Sequence, residues 1–291
     1  MESFFLLLLH TIILRPYVFV FFLIYVFGCS MHLGVKRAFL FGITGYLISW
    51  LSEYSSIHNG IPYGNYYYIE QTKGEEIWVS GVPLMDSISY VFLAYASYSV
   101  ALMVISPLRY SKGAIYLLET RKIRDSVFAS MLGAGFFVYL DIIIDPVALR
   151  GDRWFLGRIY GYPDGGVYFG IPISNFIGWL VVGILLIYIL QKIDKYLDVY
   201  RVKDFCGHRY PWRYMIGPVL YLGVLIFNFY ITFSIHEYTI GWAGIVIALL
   251  LWFLLYSIIK LKLSHENSDR SDFEAHLRDF PLVAPPESAR R

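Results

Sequence analysis

Apolar residues run along this chain in blocks close to 20 long, the length that crosses roughly 30 Å of hydrocarbon at about 1.5 Å per residue. Seven such blocks fall at approximately 17–33, 38–57, 86–108, 125–148, 173–191, 214–235 and 239–259. They predict an all-α, polytopic integral membrane helical bundle of about seven transmembrane helices over residues 1–263, followed by a polar tail at 264–291. That tail, with His265, Glu266, Asn267, Asp269 and Arg270 and later Pro285-Pro286, reads as disordered and is given no catalytic role. Upstream, Phe4 to Leu14 is apolar but too short to span, and Arg15-Pro16 separates it from the first block. It is expected to be an interfacial helix or the outer end of a kinked first helix. The start MESFF has no positive n-region and no small-residue cleavage site follows, so this stretch is expected to be retained.

Basic residues set the expected orientation. The loops after the first, third, fifth and seventh blocks hold fifteen Lys and Arg, from Lys36-Arg37 to Lys262, against four in the others (Lys73, Arg150, Arg153 and Arg158). By the positive-inside rule the N-terminus lies outside the cell membrane and the tail inside. Composition agrees with a membrane protein: 57% of residues are hydrophobic and 16% charged, against about 25% charged in soluble domains. A net charge of +2 leaves no cationic face for nucleic acid.

The two long outer loops are rich in Gly, Pro and Tyr, and they resemble each other. One runs from Glu53 to Tyr90, the other from Asp141 to Trp179. In each, an acid sits near the end of an apolar helix, a Gly/Tyr loop follows, and Gly-[Val/Ile]-Pro opens the next helix. Aligning Gly81-Val82-Pro83 with Gly170-Ile171-Pro172 sets Asp86 opposite Asn175, Tyr90 opposite Trp179, and Glu53 within one residue of Asp141. The pattern reads as an internal parallel helix–loop–helix repeat, units about 38–108 and 125–191. The facing loops would share a cavity near the outer side of the bilayer.

An ionisable group inside a span costs about 2.5–3.5 kcal/mol on insertion scales and is a functional candidate by default. Glu53, Asp141 and Asp145 are the candidates for catalysis. Asp141 and Asp145 are four apart, on one face of a helix, and Pro146 is expected to put Asp145 at the helix end. Two carboxyls on one buried face favour one of them holding a proton, as a general acid must. Asp86 and Asn175, in the first turns after Pro83 and Pro172, read equally as helix-start stabilisers or as site groups. Glu237 with His236 reads as interfacial, and Asn228 as a helix bridge or a ligand contact.

Several chemistries find no support. The seven histidines form no HxxxH or HxxHH cluster for a di-iron oxygenase, no lysine between Thr239 and Ser257 could carry retinal, and neither GxGxxG nor a P-loop occurs. Cys29 and Cys206 lie far apart with no CxxC spacing. No cofactor and no metal is therefore expected.

The paired loops resemble the CruF-type carotenoid biosynthesis family, which includes carotenoid 1,2-hydratases and bisanhydrobacterioruberin hydratases. The resemblance rests on Gly60-Ile61-Pro62-Tyr63-Gly64-Asn65-Tyr66-Tyr67-Tyr68, Gly81-Val82-Pro83, Asp141 through Asp145-Pro146, Gly165-Gly166-Val167-Tyr168-Phe169-Gly170-Ile171-Pro172, and Asn175 through Gly178-Trp179. It implies a membrane enzyme that hydrates the terminal C=C of an acyclic carotenoid without a cofactor, with carotenoid, water and membrane lipid as partners. A buried carboxylic acid would protonate the alkene to a tertiary cation that aromatic faces stabilise, and a carboxylate would activate the attacking water. On this reading Asp141 or Asp145 is the acid, Glu53 the base, and Tyr63, Tyr66, Tyr68, Asp86, Tyr168, Asn175 and Trp179 line the substrate site. End-group cyclisation through the same cation, and a non-enzymatic transporter or lipid-binding role, are the alternatives.

Overall fold

A computed structural model of the chain describes residues 2–111, 114–200, 210–264 and 270–280. Helices stand at all seven apolar blocks: α2 (Pro16–His32), α3 (Val35–Asn59), α4 (Leu84–Ile105), α6 (Val127–Ala148), α7 (Ile173–Val199), α8 (Ile216–Ser234) and α9 (Tyr238–Ser264). α1 (Glu2–Leu14), the short α5 (Arg121–Arg124) and α10 (Arg270–Asp279) complete the α-helices among the described residues. The six strands among the described residues are all brief: β1 (Tyr67–Tyr68), β2 (Trp78–Val79), β3 (Val82–Pro83), β4 (Leu108–Ser111), β5 (Ala114–Leu117) and β6 (Tyr160–Gly161).

Five segments are long and apolar enough to cross a membrane: Leu84–Ile105, Val127–Ala148, Ile173–Val199, Trp212–Ser234 and Tyr238–Leu263. Phe4–Leu14 with Pro16–His32 makes a sixth if that pair, bent by 93°, counts as one span. The protein is therefore an integral membrane protein. The expected number of spans was about seven; the difference is α3, helical throughout but carrying Lys36, Arg37, Glu53 and His58, which dilute its hydropathy. Pro16 at the first helical position of α2 suits a helix start, since its missing N–H would have no partner there. The sharp turn at Arg15 sets α1 almost perpendicular to α2, with Phe4, Phe5, Leu9 and Ile13 exposed. That geometry fits a helix lying in the membrane interface.

α4 is the central helix, buried on nearly every face from Tyr90 to Met103. Around it pack α2, α3, α6, α7 and α8. Small residues permit the closest approaches: a Cβ on Gly133 of α6 would meet Ile187 at 2.7 Å, and one on Gly183 of α7 would meet Phe137 at 2.8 Å. α3 and α4 pair as α6 and α7 do, and the two pairs pack on each other through α3 with α7 and α4 with α6. Their loops also meet, because β1 pairs antiparallel with β6 in the register Tyr67↔Gly161 and Tyr68↔Tyr160.

Two expectations are corrected. Pro146 does not end its helix: α6 continues to Ala148, with Leu149 N bonding Asp145 O at 2.9 Å. A proline costs only its own donor where packing holds the helix on either side, so Asp145 stays helical in the last turns. The tail is not wholly disordered either. α10 docks on the segment before α6, burying Phe273, His276 and Phe280. Arg109 lies over the Phe273 ring and Arg124 over that of Phe280, while Asp279 accepts from Arg121 N at 2.8 Å. His265 and residues 281–291, like Cys206, Arg201, Lys203 and Arg209, lie outside the described residues.

The helix ends opposite the Tyr-rich loops are tied by buried ion pairs. Glu119 pairs with Arg124 and accepts a hydrogen bond from His32 Nε2, while Asp194 pairs with Arg37 and Arg124. Burial pushes the Glu119 carboxyl up, but the charges of Arg124 and then His32 outweigh it and hold it well below the usual carboxylate range. His276 reaches this network by donating Nδ1–H to the Glu119 carbonyl at 2.6 Å. Burial lowers its imidazole below the ordinary value; the bond to that carbonyl and the Glu119 charge oppose the shift, and Arg124 and Arg213 reinforce it. The docked tail thus binds fewer protons than a free tail. Docking is at full strength above a pH of about 6.5 and weakens as pH falls through that value. Cleavage between Arg270 and Arg278 by trypsin, normalised to an unstructured peptide, is expected to be faster at acidic than at alkaline pH. Equal rates would contradict this.

Candidate functional site

Glu53, in the last two turns of α3, is buried beside the start of α4. Ser87 Oγ donates to one of its carboxylate oxygens and Tyr68 Oη to the other at 3.2 Å. The same Tyr68 hydroxyl lies 2.6 Å from Asp86 Oδ2, so one phenol bridges the two acids. Across the interface, Asp145 Oδ1 accepts from Tyr160 at 2.9 Å, and its Oδ2 accepts from Tyr162 at 3.2 Å and Asn175 Nδ2 at 2.9 Å. Asn175 Nδ2 also reaches Asp141 Oδ2 at 2.8 Å, while Asp141 Oδ1 is buried without a hydrogen-bond partner.

Four acids from two helix–loop–helix units therefore meet in one place, and among the described residues none of them has a basic partner. Their hydrogen bonds come from phenols, a hydroxyl and an amide. Burial, then the carboxylates of Asp86 and Glu53, push the Tyr68 phenol well above its usual range. Burial and Asp145 do the same to Tyr160 and Tyr162, so all three keep their protons and donate. Adjacent buried carboxyls with no cation between them favour holding a proton in common.

Two cavities meet at these acids. The polar one, about 40 Å³, is lined by Glu53, Asp86, Asp145 and Asn175 and by the rings of Tyr63, Tyr66, Tyr68, Tyr90, Tyr160, Tyr162 and Trp179. The apolar one, about 100 Å³, lies between α2, α4, α6 and α8 and includes Phe21, Met85, Phe92, Leu93, Ile144 and Val224. Asp86, Asp145, Tyr160 and Trp179 belong to both walls. Trp179 stacks on Tyr90 at 4.6 Å and 18°, with Phe137 also 4.6 Å away. Tyr63 is brought in by Gly178, where an added Cβ would meet the Pro62 carbonyl at 2.7 Å and the Tyr63 Cα at 2.8 Å. Only glycine lets the first loop lie this close to α7.

Of the residues singled out in the sequence, Glu53, Tyr63, Tyr66, Tyr68, Asp86, Asp145, Asn175 and Trp179 all line the polar cavity. Asp141 stands behind it, against the Asp145 carboxyl and Asn175. Tyr168 lies elsewhere, half-buried against Phe169 and Phe176. Its place is taken by Tyr160 and Tyr162, because the loops differ in length: thirteen positions separate Tyr68 from Gly81, but eight separate Tyr162 from Gly170. An alignment anchored on Gly-[Val/Ile]-Pro cannot see that offset, although the Tyr-Gly-Tyr-Pro run at 160–163 was visible beside it. Tyr90 and Ser87 were missed as well; the aligned Tyr90–Trp179 pair was the available signal for the first. Among the described residues no group of three or more His, Cys, Asp or Glu is arranged to hold a metal.

The family model described as "Carotenoid biosynthesis protein" matches residues 4–255. No curated protein and no solved structure matches the chain.

Proposed function

The chain belongs to the carotenoid biosynthesis protein family, and from that premise we propose that it hydrates the terminal double bond of an acyclic carotenoid. The observation that carries this reading is the wall shared by the two cavities, where Asp86, Asp145 and Trp179 face apolar space on one side and polar space on the other. A hydrocarbon end and a water can then reach the same carboxyl from opposite sides. The polar cavity, about 40 Å³, has room for about three waters at about 10–15 Å³ each, and it offers them phenols and carboxylates as partners. That space favours water over an internal double bond as the nucleophile, and so hydration over cyclisation.

In the proposed reaction Asp145, protonated, gives its proton to the terminal carbon pair, leaving a tertiary cation and an Asp145 carboxylate. The Trp179 indole, fixed by Tyr90 and Phe137, belongs to both cavity walls and is the aromatic group beside the cation. Water from the polar cavity adds to the cation and passes its proton to Glu53, which Ser87 and Tyr68 hold in place. The product is a tertiary alcohol, and the proton returns to Asp145 across the shared cavity. Asp141 is a positioning residue, acting on Asp145 directly and through Asn175. We read the α3–α4 and α6–α7 pairs as a duplicated unit whose copies have specialised, one holding water and the other the acid.

The test is expression in a lycopene-producing host with mass analysis of the pigment. Gain of one or two waters is the expected result. An unchanged mass with a shifted absorption spectrum would replace hydration by cyclisation.

A further inference from the structure

We propose that the seam between α2 and α8 is a side entrance from the bilayer, through which a single terminal isoprene unit of an acyclic chain reaches Asp86 and Asp145. The chemistry at the end of that path rests on the hydratase reading; the path itself rests on the cavity.

The seam is closed by side chains alone. Tyr17 of α2 and Phe227 of α8 stack at 4.9 Å and 18°, and Phe21 meets Phe227 edge-on at 5.8 Å. All three rings are half-buried, and inside them lie the buried Val18, Val224 and Asn228 of the cavity wall. On the outer faces of the same helices, Val20 is 52% exposed, Leu23 66% and Ile226 58%. In a spanning helix those positions face hydrocarbon. At one end of the seam Trp154 and Phe155 of the second loop also rest on Tyr17 and Phe227. These rings together are the boundary between the cavity and the bilayer, and rotation of Phe21 and Phe227 parts it without breaking a backbone hydrogen bond, on the time scale of side-chain motion.

The cavity behind the seam holds about 100 Å³. An apolar cavity of about 150 Å³ takes up benzene, with six carbons, so this one has space for four or five, which is one isoprene unit. The remaining chain must stay in the seam and the bilayer. The acids are thereby restricted to chain ends, and a ring-ended chain does not fit.

The experiment places p-benzoylphenylalanine at position 227, or at the outward-facing position 226, in proteoliposomes containing squalene, an acyclic isoprenoid, as a minor component. After irradiation, adducts at 227 are expected to contain squalene several-fold above its share of the bilayer, and those at 226 to match that share. Ala148→Leu, which adds three carbons to the cavity wall, is expected to remove the enrichment at 227 and leave 226 unchanged. Equal squalene content at 227 and 226 would overturn the entrance, and enrichment that survives Ala148→Leu would overturn the one-unit limit. Enrichment at 227 with no hydrated pigment in the lycopene host would keep the entrance and sink the hydratase. Hydrated pigment without enrichment would do the reverse.

Discussion

Asp145→Asn is expected to lower pigment hydration by about 10²–10⁴-fold, the usual worth of a positioned general acid. The amide keeps the volume, and its single oxygen can still accept from Tyr160, but it has no acidic proton to give. Its neighbour should behave differently. Asp141 does not line either cavity, so Asp141→Asn is expected to reduce the rate less and to shift the pH profile, because the carboxyl in contact with Asp145 would no longer carry charge. Glu53→Gln is expected to slow the reaction as Asp145→Asn does, since water capture then lacks a base. Rates can be read as hydrated over total pigment at matched protein levels. Full activity in Asp145→Asn would remove the proposed mechanism, and equal losses at Asp141 and Asp145 would remove the distinction between acid and positioning residue.

Glu76→Gln is expected to destabilise the protein by about 3–5 kcal/mol, because it strands a buried guanidinium. Arg15 and Glu76 are both fully buried and pair twice, Nη2 to Oε1 at 2.9 Å and Nε to Oε2 at 3.2 Å. Arg15 also donates to the carbonyls of Leu156 and Phe155, so the bend between α1 and α2 pins the first Tyr-rich loop to the second. The Thr11 hydroxyl adds a bond from Ile77 N at 2.9 Å. Against a total of about 5–15 kcal/mol for a typical domain the loss is large, and a fall of about 10 °C in the thermal midpoint in detergent is the expected reading. The double variant Arg15→Met with Glu76→Leu is expected to regain most of the loss, since it buries no unpaired charge. A double variant as unstable as Glu76→Gln would show that packing, and not the stranded charge, is responsible.

The membrane bundle was legible because hydrocarbon leaves the chain few options: backbone groups must be satisfied within a helix, and a helix must be about 20 residues long to cross. That rule found six of the helices cleanly. It also found α3, whose charges are tolerated because Arg37 pairs with Asp194 and Asp198 of α7 and Glu53 faces the site. No periodicity in α3 alone announces partners on another helix. The acids were likewise legible, since a carboxyl in an apolar run has a cost that something must offset.

Which acids meet, and what stands between them, belonged to the tertiary structure. Asp141 and Asp145 look equivalent at a spacing of four, yet the packing of α7 sets Asn175 against both and leaves only the second lining the two cavities. The loop tyrosines show the same limit: Tyr168 and Tyr162 are alike in composition, and only the pairing of β1 with β6 selects Tyr160 and Tyr162. Local sequence determined the helices, the repeated loops and the stock of acids and phenols, because those follow from solvent and spacing. The register between the loops, the two cavities and the single carboxyl with access to both were decided by long-range packing around α4, where contacts join residues a hundred positions apart.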